Sequence, residues 1–187
     1  MSRGLGDVYK RQGTSDTLAI SLNSGFGTYP QSLCPYNEVK KGFSETLRYY
    51  SDYRLKDYSE ISNNKDTLKS KIVSNGAVTV HYPSITDCYS SDYANYYSDN
   101  TCIGIGDSHL IVVVGWDDNY SKDNFTGKVK PSNDGAWLCK NSWGEHYGND
   151  GYIWISYDTT NLAFSQYIMQ DNNACLLYTS PSPRDTR

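Results

Sequence analysis

SHLIVVVGWD, residues 108–117, and KNSWGEHYGNDGYIWIS, residues 140–156, decide how this chain of 187 residues is read. The first stretch holds an apolar run from Leu110 to Gly115, far short of the roughly 18 to 20 residues that cross a bilayer, so it reads as a buried strand. His109 stands at the mouth of that strand, where rigid neighbours can hold an imidazole while one edge faces a cleft. In the second stretch Asn141 follows Lys140, Trp143 comes two residues later, and Gly144, Gly148 and Gly151 punctuate a turn into a further strand.

Upstream of these segments the pattern stays legible. YRLKDYSEI, Tyr53 to Ile61, carries a strand signal weakened by its polar positions. Asn63 and Asn64 then precede KDTLKSKIV, where Leu68 and Ile72 fall four apart on one face and Asn75-Gly76 supplies a stop, which predicts a helix over about 65–74. AVTVHY, Ala77 to Tyr82, is rich in β-branched residues and is expected to end at Pro83. Residues 84–108 read as a polar, Tyr-rich loop. Beyond residue 117 the Asn, Asp and Gly cluster up to Gly135 is a long connection. It is followed by strands expected at Ala136–Lys140, Gly151–Tyr157 and Leu162–Met169, and a helix followed by mostly antiparallel strands predicts α+β architecture. Residues 13–52 hold little periodicity and many turn formers, and predict loop with short elements.

Composition excludes some functions. With 17 Lys and Arg against 21 Asp and Glu the net charge is −4, where a nucleic-acid or anionic-membrane surface needs a clustered basic excess. Neither nucleic acid nor a membrane span is therefore an expected partner. No cysteine group has metal-ligand spacing. The acidic stretch at Asp117 lacks the glycine of a calcium loop at its sixth place and has Lys128 at the twelfth, where a bidentate Glu is needed. No metal and no cofactor is expected.

The two quoted segments together resemble the C-terminal half of the papain-like cysteine peptidases. SHLIVVVGWD is similar to the histidine strand of that family and KNSWGEHYGNDGYIWIS to its asparagine motif. The likeness extends upstream through LKSKIVSNGAVTVHY and covers roughly residues 25–170. The insert DDNYSKDNFTG followed by GAWLCKNSWG resembles most the bacterial and archaeal secreted branch. The resemblance implies an incomplete papain-like fold, mainly the antiparallel β-rich C-terminal lobe, with the helix that bears the catalytic cysteine missing. It implies a peptide or protein substrate cleaved through a Cys-His-Asn triad, and a secreted or cell-surface location. Carried over residue by residue, His109 is the general acid/base, Asn141 the amide that orients it, and Trp143 a shield over the bond between them. His81, at the end of the strand that feeds the cleft, or Val80 becomes a candidate for the pocket that takes the substrate side chain preceding the cleaved one, a packed or exposed strand histidine being the other reading. His146, in a turn between Glu145 and Tyr147, is expected at the surface.

The nucleophile does not appear. The family places its cysteine about 130 to 150 residues before the histidine and asparagine, in a context such as C-G-[SA]-C-[WY]. Cys34 lies only 75 positions before His109 and is followed by Pro35, so it lacks a helix N-terminus to lower its thiol pKa. The expectation is a nucleophile, and an oxyanion-hole glutamine, encoded upstream of residue 1, and no peptide hydrolysis by the chain as written. A non-catalytic peptide-binding homologue and another acyl-transfer enzyme on the same scaffold are the competing classes. Cys88 and Cys102 flank a polar loop and are candidates for a disulfide in an oxidising compartment, two reduced thiols being the other reading. Cys139, inside a strand with Trp137, reads as a small apolar core residue, with a bond to Cys34 left open.

Both ends carry a second signal. SRGLGDVYKRQ, residues 2–12, can be encoded by a DNA element whose reverse complement, in a shifted frame, encodes CLLYTSPSPRD, residues 175–185. That element resembles the transposon-end adapter of sequencing libraries, and such foreign segments are set aside before fold reasoning. Residues 1–12 and 175–187 are thus expected to be adapter-derived, and residues 13–174 to be the peptidase part. That part holds 12 basic and 19 acidic residues, a charge of −7.

Overall fold

The computed structural model of the chain describes Ser32, residues 53–90, Asp92, residues 94–102 and residues 106–171, the side chains of 106 and 107 excepted. The expectations for Cys34, for the loop-rich residues 13–52 and for both tails lie outside the described residues. Ser59–Gln166 fall in one compact unit, and Tyr53–Tyr58 with Tyr167–Asp171 in a second. Within that second unit the rings of Tyr58 and Tyr167 pack with centroids 5.0 Å apart.

The elements follow in the order β1 (Tyr53–Ile61), α1 (Lys65–Asn75), β2 (Val78–Ile85), β3 (Tyr89–Ser90), β4 (Asn95–Tyr96), β5 (Gly106–Asp117), β6 (Ala136–Lys140), β7 (Tyr152–Ser156) and β8 (Ala163–Asp171). Their order in the sheet is β1-β8-β2-β5-β6-β7-β4-β3. Strand β2 runs antiparallel to both β5 and β8, as do β3 to β4, β5 to β6 and β6 to β7, whereas β4 runs parallel to β7. The α+β class and the strand-rich papain-like architecture expected from the sequence are what the structure shows.

Helix α1 begins where Asn64 caps it, its side-chain oxygen accepting from the Thr67 N–H at 2.9 Å, a contact of about 1 kcal/mol at such a position. It stops at Gly76, whose φ of 87° suits glycine and whose N–H returns to the Ile72 carbonyl. Leu68 is 1 % exposed and fastens the helix to the sheet, burial of such a side chain being worth roughly 1.5–3 kcal/mol. Around it the core is built from Val80, Ile111, Val113, Trp137, Cys139 and Ile153.

The strand ends shift by up to a few residues from expectation, and two differences have a physical reason. Strand β2 does not end at Pro83 but runs on to Ile85. Its pairing with β8 covers only Thr79 to His81, while pairing with β5 continues through Pro83 opposite Ser108. The missing proline N–H therefore falls where only one neighbour demands a partner, as edge positions allow. The stretch 84–108 is likewise not loop throughout, since it contains the two-residue strands β3 and β4 and the start of β5. Short strands of that kind leave no periodicity to read.

Candidate active site

Register builds the site. In β2 and β5 Tyr82 stands opposite His109, Val80 opposite Ile111 and Val78 opposite Val113. Partners directly opposed across a ladder project to one face, and all six of these side chains are buried. On the other side of β5, Val112 pairs with Lys140, so Asn141, one residue further along, comes level with Ile111 and diagonal to His109. A bulge between Val113 and Gly115 shifts the β5–β6 register. The chain thereby brings together two residues separated by 32 positions.

His109 Nε2 lies 2.9 Å from Asn141 Oδ1. The same oxygen accepts the backbone N–H of Ser142 at 2.7 Å, which fixes the amide orientation: the atom facing both donors is the oxygen. An amide oxygen only accepts, so Nε2 carries the imidazole proton and, in the neutral ring, Nδ1 is the basic nitrogen. Asn141 Nδ2 is buried with no hydrogen-bond partner among the described residues. The asparagine side chain is thus committed through its oxygen, and its backbone N–H is held by the Gly151 carbonyl at 2.9 Å.

Aromatic rings enclose the imidazole. Trp143 stacks on it with centroids 4.6 Å apart and planes 9° apart, and Tyr147 meets Trp143 edge-on at 4.4 Å. His109 is 1 % exposed. Burial pushes its pKa below the ordinary histidine value, the Asn141 hydrogen bond works in the opposite direction, and the nearby His81 lowers it a little further. The site therefore favours a neutral imidazole with a fixed tautomer.

The other residues singled out by sequence fall into distinct settings. Val80 and His81 project to opposite faces of β2, as successive strand residues must. Val80 is 1 % exposed and belongs to the core. His81 is half-buried and its Nε2 contacts Ser108 Oγ, beside His109 in the chain. His146 is exposed, 3.7 Å from Glu145. Cys88 and Cys102 bring their sulfurs to 2.7 Å as thiols. Burial, with Cys102 beside it, pushes the Cys88 thiol up to about 12, and burial alone pushes Cys139 up. A thiol so raised is no nucleophile at neutral pH. Among the described residues no group of three or more His, Cys, Asp or Glu side chains is placed to hold a metal. No helix among them is long and apolar enough to cross a membrane.

Sequence reading missed Tyr82 and Tyr89. The Tyr82 ring lies 5.6 Å from the imidazole, and the Tyr89 ring 6.1 Å from Trp143. The alternation Val78, Val80, Tyr82 marked a buried face, but only the register with β5 shows which residue the tyrosine meets.

His109 thus stands inside β5 rather than at its mouth, with the Asn141 oxygen on its Nε2 and Trp143 over the pair. The papain family cysteine protease profile matches residues 14–175, and the chain belongs to that family. Cathepsin J of Mus musculus is 26 % identical over 160 residues, covering 86 % of this chain and 45 % of its own length. Testin-2 of Mus musculus is 27 % identical over 123 residues, covering 64 % of this chain and 34 % of its own. The chain thus spans less than half of either relative. Among solved structures, the cysteine protease and lectin-like domains of Cwp84, a surface layer associated protein of Clostridium difficile, superpose with a TM-score of 0.72. They are 30 % identical, and the match covers 87 % of this chain and 38 % of that one.

Proposed function

We propose that residues 13–174 are the histidine- and asparagine-bearing part of a papain-like cysteine endopeptidase that cleaves peptide bonds of peptide or protein substrates. The observation that carries this reading is the His109 Nε2 to Asn141 Oδ1 hydrogen bond beneath a stacked Trp143. It leaves Nδ1 as the atom that takes a thiol proton. A thiolate then attacks the scissile carbonyl carbon, and Nδ1 returns the proton to the leaving amine nitrogen. In the second half Nδ1 takes a proton from water, whose oxygen displaces the sulfur from the thioester.

The thiol and an oxyanion-hole glutamine come from sequence upstream of residue 1, and the chain as written hydrolyses nothing. Two observations support this: Cys88 and Cys139 are held as thiols by burial, and the chain spans under half of the relatives it matches. His81 is the residue we assign to the pocket for the side chain preceding the cleaved one. A secreted or cell-surface location is supported by the likeness to a surface-layer protein. We assign residues 1–12 and 175–187 to adapter translation on the shared coding of their two sequences.

Recovering the source locus by a method free of those adapters tests both parts. The expected result replaces the two tails and extends the frame upstream to a glutamine motif followed by Cys-Trp. The completed enzyme cleaves peptides, and its His109→Ala variant does not. Unchanged tails, or turnover indifferent to His109→Ala, overturns the corresponding part. Ser, Gly or Ala at the cysteine position makes the protein a peptide binder instead. Labelling by a thiol-directed peptidyl inhibitor without peptide cleavage makes it another acyl-transfer enzyme.

A further inference from the structure

Tyr82 and His109 are direct partners across β2 and β5, and they are 0 % and 1 % exposed. Their rings lie 5.6 Å apart with planes inclined at 60°. The Tyr82 hydroxyl is hydrogen-bonded to the Tyr89 hydroxyl, which also meets Ser84 Oγ at 3.1 Å. Tyr89 in turn lies 6.1 Å from Trp143, and Trp143 stacks on His109. The contacts close into a ring of four aromatic side chains, His109, Tyr82, Tyr89 and Trp143, with one hydroxyl pair joining the two tyrosines. Tyr96 braces the arrangement from outside, 4.9 Å from Tyr82 and 4.7 Å from Tyr89.

We propose that Tyr82 is a positioning residue for the His109 imidazole, and that its hydroxyl bond to Tyr89 sets where the Tyr82 ring stands. This rests on the peptidase reading for its purpose and on the ring geometry for its substance. Asn141 grips one nitrogen of the imidazole and Trp143 covers one face. The Tyr82 ring, 5.6 Å from the imidazole and inclined at 60°, adds a second aromatic wall to these two contacts and with them restrains the direction of Nδ1. Tyr82 supplies that wall from the strand that pairs with the histidine's own. A phenylalanine would fill much of the same volume. The hydroxyl pair adds a directional tie, because a buried hydroxyl without its partner is costly and selects the geometry that satisfies it. Burial pushes both phenol pKa values up, so the wall stays uncharged over the range in which His109 titrates.

The 187-residue chain itself serves for the test. Labelled with ¹⁵N-histidine, it reports solvent exchange of the His109 Nε2 proton, the proton held by Asn141. Tyr82→Phe and Tyr89→Phe each remove the same hydrogen bond and keep the rings. Both variants are expected to speed that exchange by roughly tenfold, as a local opening does. The backbone amide of Ile111, two residues along the same strand, is expected to exchange as before. Tyr157→Phe, which removes a hydroxyl bonded to Asp118 outside the ring of four, should change neither rate.

Exchange unaltered in both variants, a response in only one of them, or a parallel rise at Ile111 that marks general loosening overturns the proposal. If Tyr82→Phe does not fold, Tyr89→Phe decides by the same criterion. The outcome is separate from the fate of the peptidase reading. Indifference of the Nε2 proton leaves that reading standing, whereas a completed enzyme indifferent to His109→Ala removes it and leaves the exchange result intact.

Discussion

The Trp143 indole lies flat on the His109 imidazole, 4.6 Å from centroid to centroid and 9° from parallel. Sequence neighbours of Trp143 explain how it stays there: Tyr147 meets it edge-on, and the Gly151 N–H bonds the Tyr147 carbonyl at 2.8 Å. The indole is borne, like Asn141, on the segment that follows β6, whereas His109 and Tyr82 come from paired strands.

Trp143→Ala in the completed enzyme is therefore expected to lower kcat about ten- to a hundredfold, by admitting water to the His109–Asn141 bond and loosening the ring. Trp143→Phe should recover much of that loss. Steady-state kinetics on one peptide substrate decides, and unchanged kcat in the alanine variant removes the shielding role.

Acid sensitivity follows from the buried imidazole. The folded-state pKa of His109 is depressed, so the folded chain binds fewer protons than the unfolded one near the ordinary value of about 6.5. The stability contributed is complete above that value and is lost as pH falls through it toward the folded pKa. His109→Gln should show a shallower decline in unfolding free energy between about pH 7.5 and 5 than the parent chain. His81 and His146 are common to both proteins, so parallel curves would mean that His109 does not titrate differently on folding.

Protein prepared without reductant should yield a disulfide-linked peptide joining Cys88 and Cys102 on non-reducing mapping. Closing a loop of this length contributes up to roughly 3 kcal/mol, so Cys102→Ser should lower Tm in oxidising buffer and leave it unaltered in reductant. Complete alkylation of both thiols before reduction would contradict the pairing.

Gly148 and Gly144 separate two kinds of glycine requirement. Both have positive φ, 63° and 93°, but a Cβ at Gly148 would collide with the Tyr152 carbonyl oxygen, while at Gly144 it would meet nothing within 4 Å. Gly148→Ala is expected to destabilise by about 2–4 kcal/mol and Gly144→Ala by about 1. Chemical denaturation gives both values, and equal losses would show that backbone strain alone matters.

Replacing His81 by Ala should alter the ratio of kcat/KM between substrates that differ only in the residue preceding the cleaved one, with kcat on the best substrate nearly unchanged. An unaltered ratio would place His81 outside the pocket.

Much of the molecule was legible in the residues, for physical reasons that differ by element. Asn64, Leu68, Ile72 and Gly76 state the helix completely, because cap, face and stop are local. Strand β6 is bounded correctly because Ala136 follows a glycine at φ 106° and Lys140 precedes the turn. The candidate site was legible as far as His109, Asn141 and Trp143, since family resemblance rests on local words such as KNSWG. Val80 and His81 show where that reading stops: resemblance gave a strand end, and only the pleat separates a core valine from a half-buried histidine. Tyr82 lay unread for a related reason. A tyrosine in AVTVHY is ordinary strand composition until pairing with β5 sets it against the imidazole, and pairing is a property of two segments at once.

The β5–β6 register bears on how relatives of this chain can be found. His109 and Asn141 meet because Val112 faces Lys140, whereas residues 118–135 loop out between the two strands, with the Gly135 N–H bonded to the Tyr120 carbonyl and the Lys122 N–H to the Asp134 carboxylate. Insertions and deletions in that excursion are expected to leave the strand pairing, and with it the distance between histidine and asparagine, as it is. The number of residues separating the two is thus expected to be freer to drift during evolution than the two strand words. A search keyed to that number will overlook homologues that one keyed to the two strand words will recover.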